Sequence, residues 1–88
     1  MVLTINGVMV GLRPVDAARA GDRFDPRRVG LDHLSFSVGD RADLDAAVTR
    51  YDEHGVEHGP VREVPAMGMA FLAAFDPDGN AIELTAPL

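Results

Sequence analysis

Apolar residues recur along this chain with two different periods, and each change of period marks an element. "VLTI" and "VMVGL", residues 2–5 and 8–12, are β-rich runs separated only by Asn6-Gly7. A two-residue Asn-Gly break between apolar runs predicts a tight β-hairpin. In "LDHLSFSV", residues 31–38, Leu34, Phe36 and Val38 alternate with His33, Ser35 and Ser37. Period-2 alternation sends the two sets to opposite faces of a strand. The period then lengthens. Leu44, Ala47, Val48 and Tyr51 fall at i, i+3, i+4 and i+7, the apolar stripe of a helix. Asp40 is its expected N-cap, with Asp43 three residues on; Gly55 is the expected stop, with His54 in the last turn.

Three short strands are expected after the helix: "HGPVREV" (58–64), "MAFLAAF" (69–75) and "NAIELTA" (80–86). Pro60 lacks an amide donor and points the first of these to a sheet edge. The last two are joined by Asp76-Pro77-Asp78-Gly79-Asn80, whose Pro and Gly suit a reversal of direction. Residues 14–30, rich in Pro, Gly, Asp and Arg, read as a connection with one helical turn near Asp16–Ala20. The expected fold is therefore α+β: a hairpin over 1–13, a connecting loop over 14–30, and a βαβββ module over 31–86.

Length and charge narrow the function classes. A chain of 88 residues is one small domain. It buries only about 60–65% of its extended surface, so covering a sheet face with a partner chain would add stability. The absence of cysteine excludes disulfides and thiolate metal sites. A net charge of −6 and a pI near 4.7 argue against nucleic acid or anionic membrane as partner. "MVLTINGVMVGL" has no basic flank and is interrupted by Asn6-Gly7. It reads as neither signal peptide nor membrane span, and a cytoplasmic protein is the expectation.

Two residues stand out chemically. Glu83 shares a face with Ala81 and Thr85 in the last strand, opposite Ile82 and Leu84. His33 holds the matching place in the first strand of the module. Glutamate is depleted in strands and seldom buried without a partner. If the two strands are neighbours, His33 and Glu83 project into one space, with small Ser, Ala and Thr around them. Two readings stand at this point: the pair hydrogen-bond each other or line a metal-free pocket, or they are ligands of a metal ion.

Other signals are weaker. His54 and His58 have zinc-like H-x3-H spacing, but Gly55 ends the helix between them, and a cap or surface role fits better. "DRFDPRR" (22–28) concentrates basic residues; local ion pairs in a solvated loop compete with a grip on an anionic substrate. Met67, Met69 and Phe71 border "PAMGM" and suit either an apolar ligand or core packing.

Taken together, "GLDHLSFSV", the amphipathic helix, "HGV…HGPV" and "FDPDGNAIEL" resemble one module of the vicinal oxygen chelate superfamily, the glyoxalase, bleomycin-resistance and extradiol-dioxygenase group. The resemblance implies that the first and last strands of the module lie side by side. It implies that His33 and Glu83 are metal ligands, with Glu83 also a potential catalytic base. It places Ser35, Met67, Met69 and Phe71 toward the substrate.

The chain departs from that pattern in one respect. Family members pair two modules around the site, whereas residues 1–13 resemble only the last two strands of a preceding one. Gly11, Leu12 and Arg13 supply no carboxylate there. Two ligands are too few, so the expectation is a homodimer whose twofold brings His33 and Glu83 of both chains around one divalent ion (Zn, Ni, Fe or Mn). The expected function is a divalent-metal enzyme acting on a small oxygenated molecule. A metal-free protein that sequesters a small molecule, and an inert truncated copy, are the alternatives.

Overall fold

The computed structural model describes residues 1–88 throughout. Strands β1 (Val2–Ile5) and β2 (Val8–Gly11) pair antiparallel, with Ile5 opposite Val8 across Asn6-Gly7. Asn6 and Gly7 both have positive φ, 48° and 82°, as the tight hairpin turn requires. Residues 17–19 form a single 3-10 turn inside the expected connection.

The rest of the chain forms β3 (His33–Ser37), helix α1 (Arg41–Glu53), β4 (Arg62–Val64), β5 (Met69–Phe75) and β6 (Ala81–Pro87). The four strands make one mixed sheet in the order β3-β6-β5-β4. β3 runs parallel to β6, while β5 is antiparallel to both β6 and β4. The expected βαβββ module is thus observed, with its first and last strands adjacent. β4 is shorter than expected, because Pro60 breaks the ladder and leaves only a His58–Ala74 bridge before it. It is an edge strand.

Helix α1 starts where two carboxylates satisfy its first amides. Asp40 accepts from the Asp43 amide at 3.2 Å, and Asp43 accepts from the Asp40 amide at 2.9 Å. This reciprocal capping box normally uses Glu or Gln at the later position. A Cβ on Gly39 would lie 2.7 Å from Asp43 Oδ2, so a larger residue there would push against the capping carboxylate. At the other end His54 is the C-cap, and Gly55 takes positive φ.

The helix lies over β5 and β6, and the core sits between them. Leu44, Ala70, Leu72 and Ala86 are fully buried, with Val38, Ala47, Val48, Tyr51, Val61 and Leu84 packed around them. All four residues of the predicted helical stripe are in or against this core. The apolar face of β3 behaves differently. Leu34 stays 39% exposed, and Leu34, Phe36 and Val38 border a groove of about 780 Å³ shared with Leu3, Ile5 and Val10 of the hairpin.

The hairpin itself packs little against the sheet. The radius of gyration is 14.4 Å, above the about 12 Å expected of a compact chain this long. Met1, Val2, Val8 and Met9 are exposed. The apolar area left in water is large for so small a chain, and large exposed apolar surfaces mark places of contact.

Candidate functional site

Register decides what meets on the face of the sheet away from α1. Ser35 is paired with Glu83 and His33 with Ala81 across the parallel β3–β6 ladder; Ala73 faces Glu83 from the other side, on β5. Alternation then puts His33, Ser35, Glu83, Ala73, Phe71 and Phe75 on one face. Ala73 and Ala81 keep the space around Glu83 open, since neither side chain extends past Cβ.

The contacts follow from this register. Ser35 Oγ donates to Glu83 Oε1 at 3.1 Å. His33 Nε2 lies 3.8 Å from the same oxygen, too far for a hydrogen bond. On its other side, His33 Nδ1 donates to Asp32 Oδ1 at 2.8 Å. The hydrogen bond to Asp32 raises the His33 pKa above the ordinary imidazole value; slight burial opposes it, and the charges of Glu83 and Asp32 add to it. The His33 side chain is 42% exposed and that of Glu83 23%, so both remain reachable.

One wall of the site comes from the connecting loop. Asp76 organises the turn that carries this loop. Its Oδ1 accepts from the amides of Asp78 and Asn80 at 2.9 and 2.8 Å, and its Oδ2 accepts from Asn80 Nδ2 at 2.9 Å. Partial burial alone would raise the Asp76 pKa, but the hydrogen bonds from Asn80, Asp78 and Gly79 outweigh it and hold the carboxyl below its usual range. The turn so fixed accepts from the Phe24 amide through Asp78 O at 2.8 Å and from Arg23 through Pro77 O. Phe24 and Pro26 thereby border a cavity of about 340 Å³ that also touches Asp32, His33, Ala73, Phe75 and Glu83.

The residues singled out from sequence are therefore not all together. His33, Ser35 and Glu83 meet directly. Phe71 lies on the same face, opposite Thr85, one same-face step of about 7 Å along β5 from Ala73, and Met69 lies one step further. Met67 lies apart, in the 3-10 turn at 65–67, and is 62% exposed. Phe24, Asp32, Ala73 and Phe75 escaped the sequence reading. The "DH" dipeptide was a usable signal for Asp32; nothing local marked Phe24.

The remaining histidines do not form a second site. His58 Nε2 faces Asp52 Oδ1 at 2.7 Å and Nδ1 faces Gly59 O at 2.6 Å, so both ring nitrogens are engaged. Tyr51 lies beside the ring, with centroids 5.8 Å apart. The hydrogen bond with Asp52, then that with Gly59, raises the His58 pKa. Two of the three arginines in "DRFDPRR" are likewise engaged within the chain. Arg27 pairs with Asp25 at 3.1 Å, and Arg23 holds the Pro77 carbonyl.

As a metal site, the arrangement fits in part. His33 Nε2 and Glu83 Oε1 are separated by 3.8 Å, within the span of two metal–ligand bonds of about 2.1 Å each. A carboxylate on the far ring nitrogen is the usual partner of a metal-binding imidazole. No group of three or more His, Cys, Asp or Glu side chains converges within the chain. One chain thus brings two donor atoms together, an imidazole nitrogen and a carboxylate oxygen.

The sequence profile of the Glyoxalase/Bleomycin resistance protein/Dioxygenase superfamily matches residues 1–84. Over 59 residues the chain is 44% identical to the uncharacterized protein YwkD of Bacillus subtilis (strain 168) and 41% identical to the uncharacterized protein YaeR of Escherichia coli (strain K12). Each match covers 67% of this chain but only 44% and 43% of the relative, so the matched segment spans less than half the length of these proteins. A glyoxylase/bleomycin resistance protein/dioxygenase domain from Frankia sp. EAN1pec is 40% identical, with a TM-score of 0.68 over 76% of this chain and 51% of that one. The genomically encoded fosfomycin resistance protein FosX of Listeria monocytogenes shares the fold at 21% identity, with a TM-score of 0.73 over 99% of this chain and 64% of that one. No helix is long and apolar enough to cross a membrane.

Proposed function

The chain belongs to the Glyoxalase/Bleomycin resistance protein/Dioxygenase superfamily, and from that premise we propose that it binds a divalent metal ion through His33 and Glu83 and acts on a small oxygenated molecule. The observation that carries this reading is the facing of His33 Nε2 and Glu83 Oε1 at 3.8 Å, beyond hydrogen-bonding range. With Asp32 accepting the Nδ1 proton, a neutral His33 presents a lone pair toward a carboxylate. Two electron-rich atoms so placed attract a cation. When bound, the ion would polarise vicinal oxygens of the substrate as a Lewis acid and stabilise the charge that develops on them.

The chain's own residues supply the rest. Ser35 anchors one oxygen of Glu83 and leaves the other free to accept a proton from a bound molecule. Phe24 and Phe75 form apolar walls beside the pair, and Phe71 and Met69 extend the same face, so an apolar substituent of the substrate is accommodated there. Because one chain brings two ligands, a second copy related by a twofold would bring the other two, giving two imidazoles and two carboxylates with two positions open.

A second reading is a metal-free binding protein that holds a small molecule on this face. The set of only two donors and the phenylalanine walls favour it. The deciding experiment is elemental analysis of the purified protein after reloading with divalent ions, together with its mass in solution. About one ion per two chains in a dimer is expected. No ion under any loading overturns the metal reading in favour of the binding protein, and one ion per monomer overturns the shared site.

A further inference from the structure

We propose that Asp32 is the positioning residue of this site. It fixes the His33 ring so that Nδ1 carries the proton and Nε2 stays bare toward Glu83. The inference rests on reading His33 and Glu83 as an ion-binding pair, which it deepens by assigning the ligating atom.

Distances decide the tautomer. A neutral imidazole has one proton to give, and two carboxylates compete for it. Asp32 Oδ1 stands 2.8 Å from Nδ1, while Glu83 Oε1 stands 3.8 Å from Nε2. The first is a charge-assisted hydrogen bond and the second lies beyond hydrogen-bonding range. Ser35 Oγ already donates to Glu83 Oε1, which lessens that oxygen's demand for a proton from the ring. Free histidine in water favours the opposite tautomer, with the proton on Nε2, so the preference in this site has to be imposed.

The placement of Asp32 in the chain makes this possible. β3 begins at His33, so Asp32 lies just outside the ladder and is not bound by strand alternation. Within the strand its side chain would point to the α1 face with Leu34. Outside it, the carboxylate turns to the His33 ring. At 69% exposure it supports no packing, and its removal leaves the core intact. A carboxylate on the far nitrogen also makes the ligating nitrogen a better donor.

The test uses the ¹⁵N-labelled full chain at a pH where His33 is neutral, with the ring nitrogens read by long-range ¹H–¹⁵N correlation and His33 assigned by loss of its signals in His33→Gln. The wild type is expected to show an unprotonated Nε2. Asp32→Ala should move the proton to Nε2, and Asp32→Asn, whose amide oxygen still accepts, should restore the wild-type pattern. A protonated Nε2 in the wild type, or no change in Asp32→Ala, overturns the proposal.

Titration with zinc adds a second readout. Asp32→Ala should bind about 10–100-fold more weakly than wild type, with Asp32→Asn between them. Equal affinities overturn the role of Asp32 while leaving the ion-binding pair standing. A tautomer that depends on Asp32 in a protein that binds no zinc supports the positioning role and removes the metal reading instead.

Discussion

Ser35 and Glu83 are register partners across the parallel β3–β6 ladder, and the Ser35 hydroxyl donates to Glu83 Oε1 at 3.1 Å. The serine read from sequence as substrate-facing is thus first a support for the carboxylate. Ser35→Ala should weaken zinc binding by about tenfold, since a hydrogen bond to a charged group on an open face is worth on the order of 1–2 kcal/mol. Thermal stability should hardly move. Calorimetric titration and a melting curve check both; unchanged affinity would return Ser35 to a substrate contact only.

His33→Ala and Glu83→Ala should each abolish stoichiometric metal binding, and the double variant should be no worse than either. Residues acting through one shared ion are strongly non-additive. Neither side chain is in the core, so both variants should stay within about 0.5 kcal/mol of wild type in stability. Stoichiometric binding that survives in Glu83→Ala would place the ion elsewhere.

Asp76 holds its turn through three accepted hydrogen bonds. Asp76→Ala should cost about 2–3 kcal/mol and lower the melting temperature by about 10 °C or more, the scale for a domain this size. Asp76→Asn keeps an acceptor and should cost less. Because the same turn accepts from Phe24 and Arg23, the alanine variant should also free residues 22–28 to exchange amide hydrogen faster. A loss of stability without faster exchange there would break the link between turn and loop.

Stability should depend on pH in a direction set by the groups whose pKa folding shifts. The His58 pKa is raised in the folded chain, so its contribution is full below about 6.5 and is lost as pH rises through the folded value. The Asp76 pKa is lowered, so its contribution is present above about 3.8 and is lost as pH falls through the folded value. Stability should therefore plateau between about pH 4 and 6.5 and decline on both sides. His33, also raised, adds to the alkaline decline. His58→Gln should shrink that decline, and adding His33→Gln should shrink it further; denaturant melts across pH would show it, and an undiminished decline in both would rule these histidines out.

Much of the fold was legible because its signals are local. Asn6-Gly7, the i, i+3, i+4, i+7 stripe through Leu44 and Tyr51, the Asp40–Asp43 cap and the Asp76–Asn80 turn each declare themselves within a few residues. Backbone geometry acts over that range. Alternation likewise put His33 and Ser35 on one face and Glu83 on the matching face of another strand. The expected length of β4 was too great because one residue without an amide donor, Pro60, outweighed the pattern around it.

What the sequence determined by itself was the set of elements and the parity of each polar residue within its strand. The tertiary structure decided which strands became neighbours, and hence that Ser35 rather than His33 sits opposite Glu83. Pairing of β3 with β6 joins residues some fifty positions apart, through a parallel ladder that runs from His33–Ala81 to Ser37–Thr85, a property of the assembled sheet. The same holds for the groups no local pattern announced. Asp32 turns toward His33 because it lies just outside the ladder, and Phe24 reaches the site because a turn far along the chain accepts its amide. Period and propensity act between near neighbours; the site is made where distant segments share buried area and hydrogen bonds.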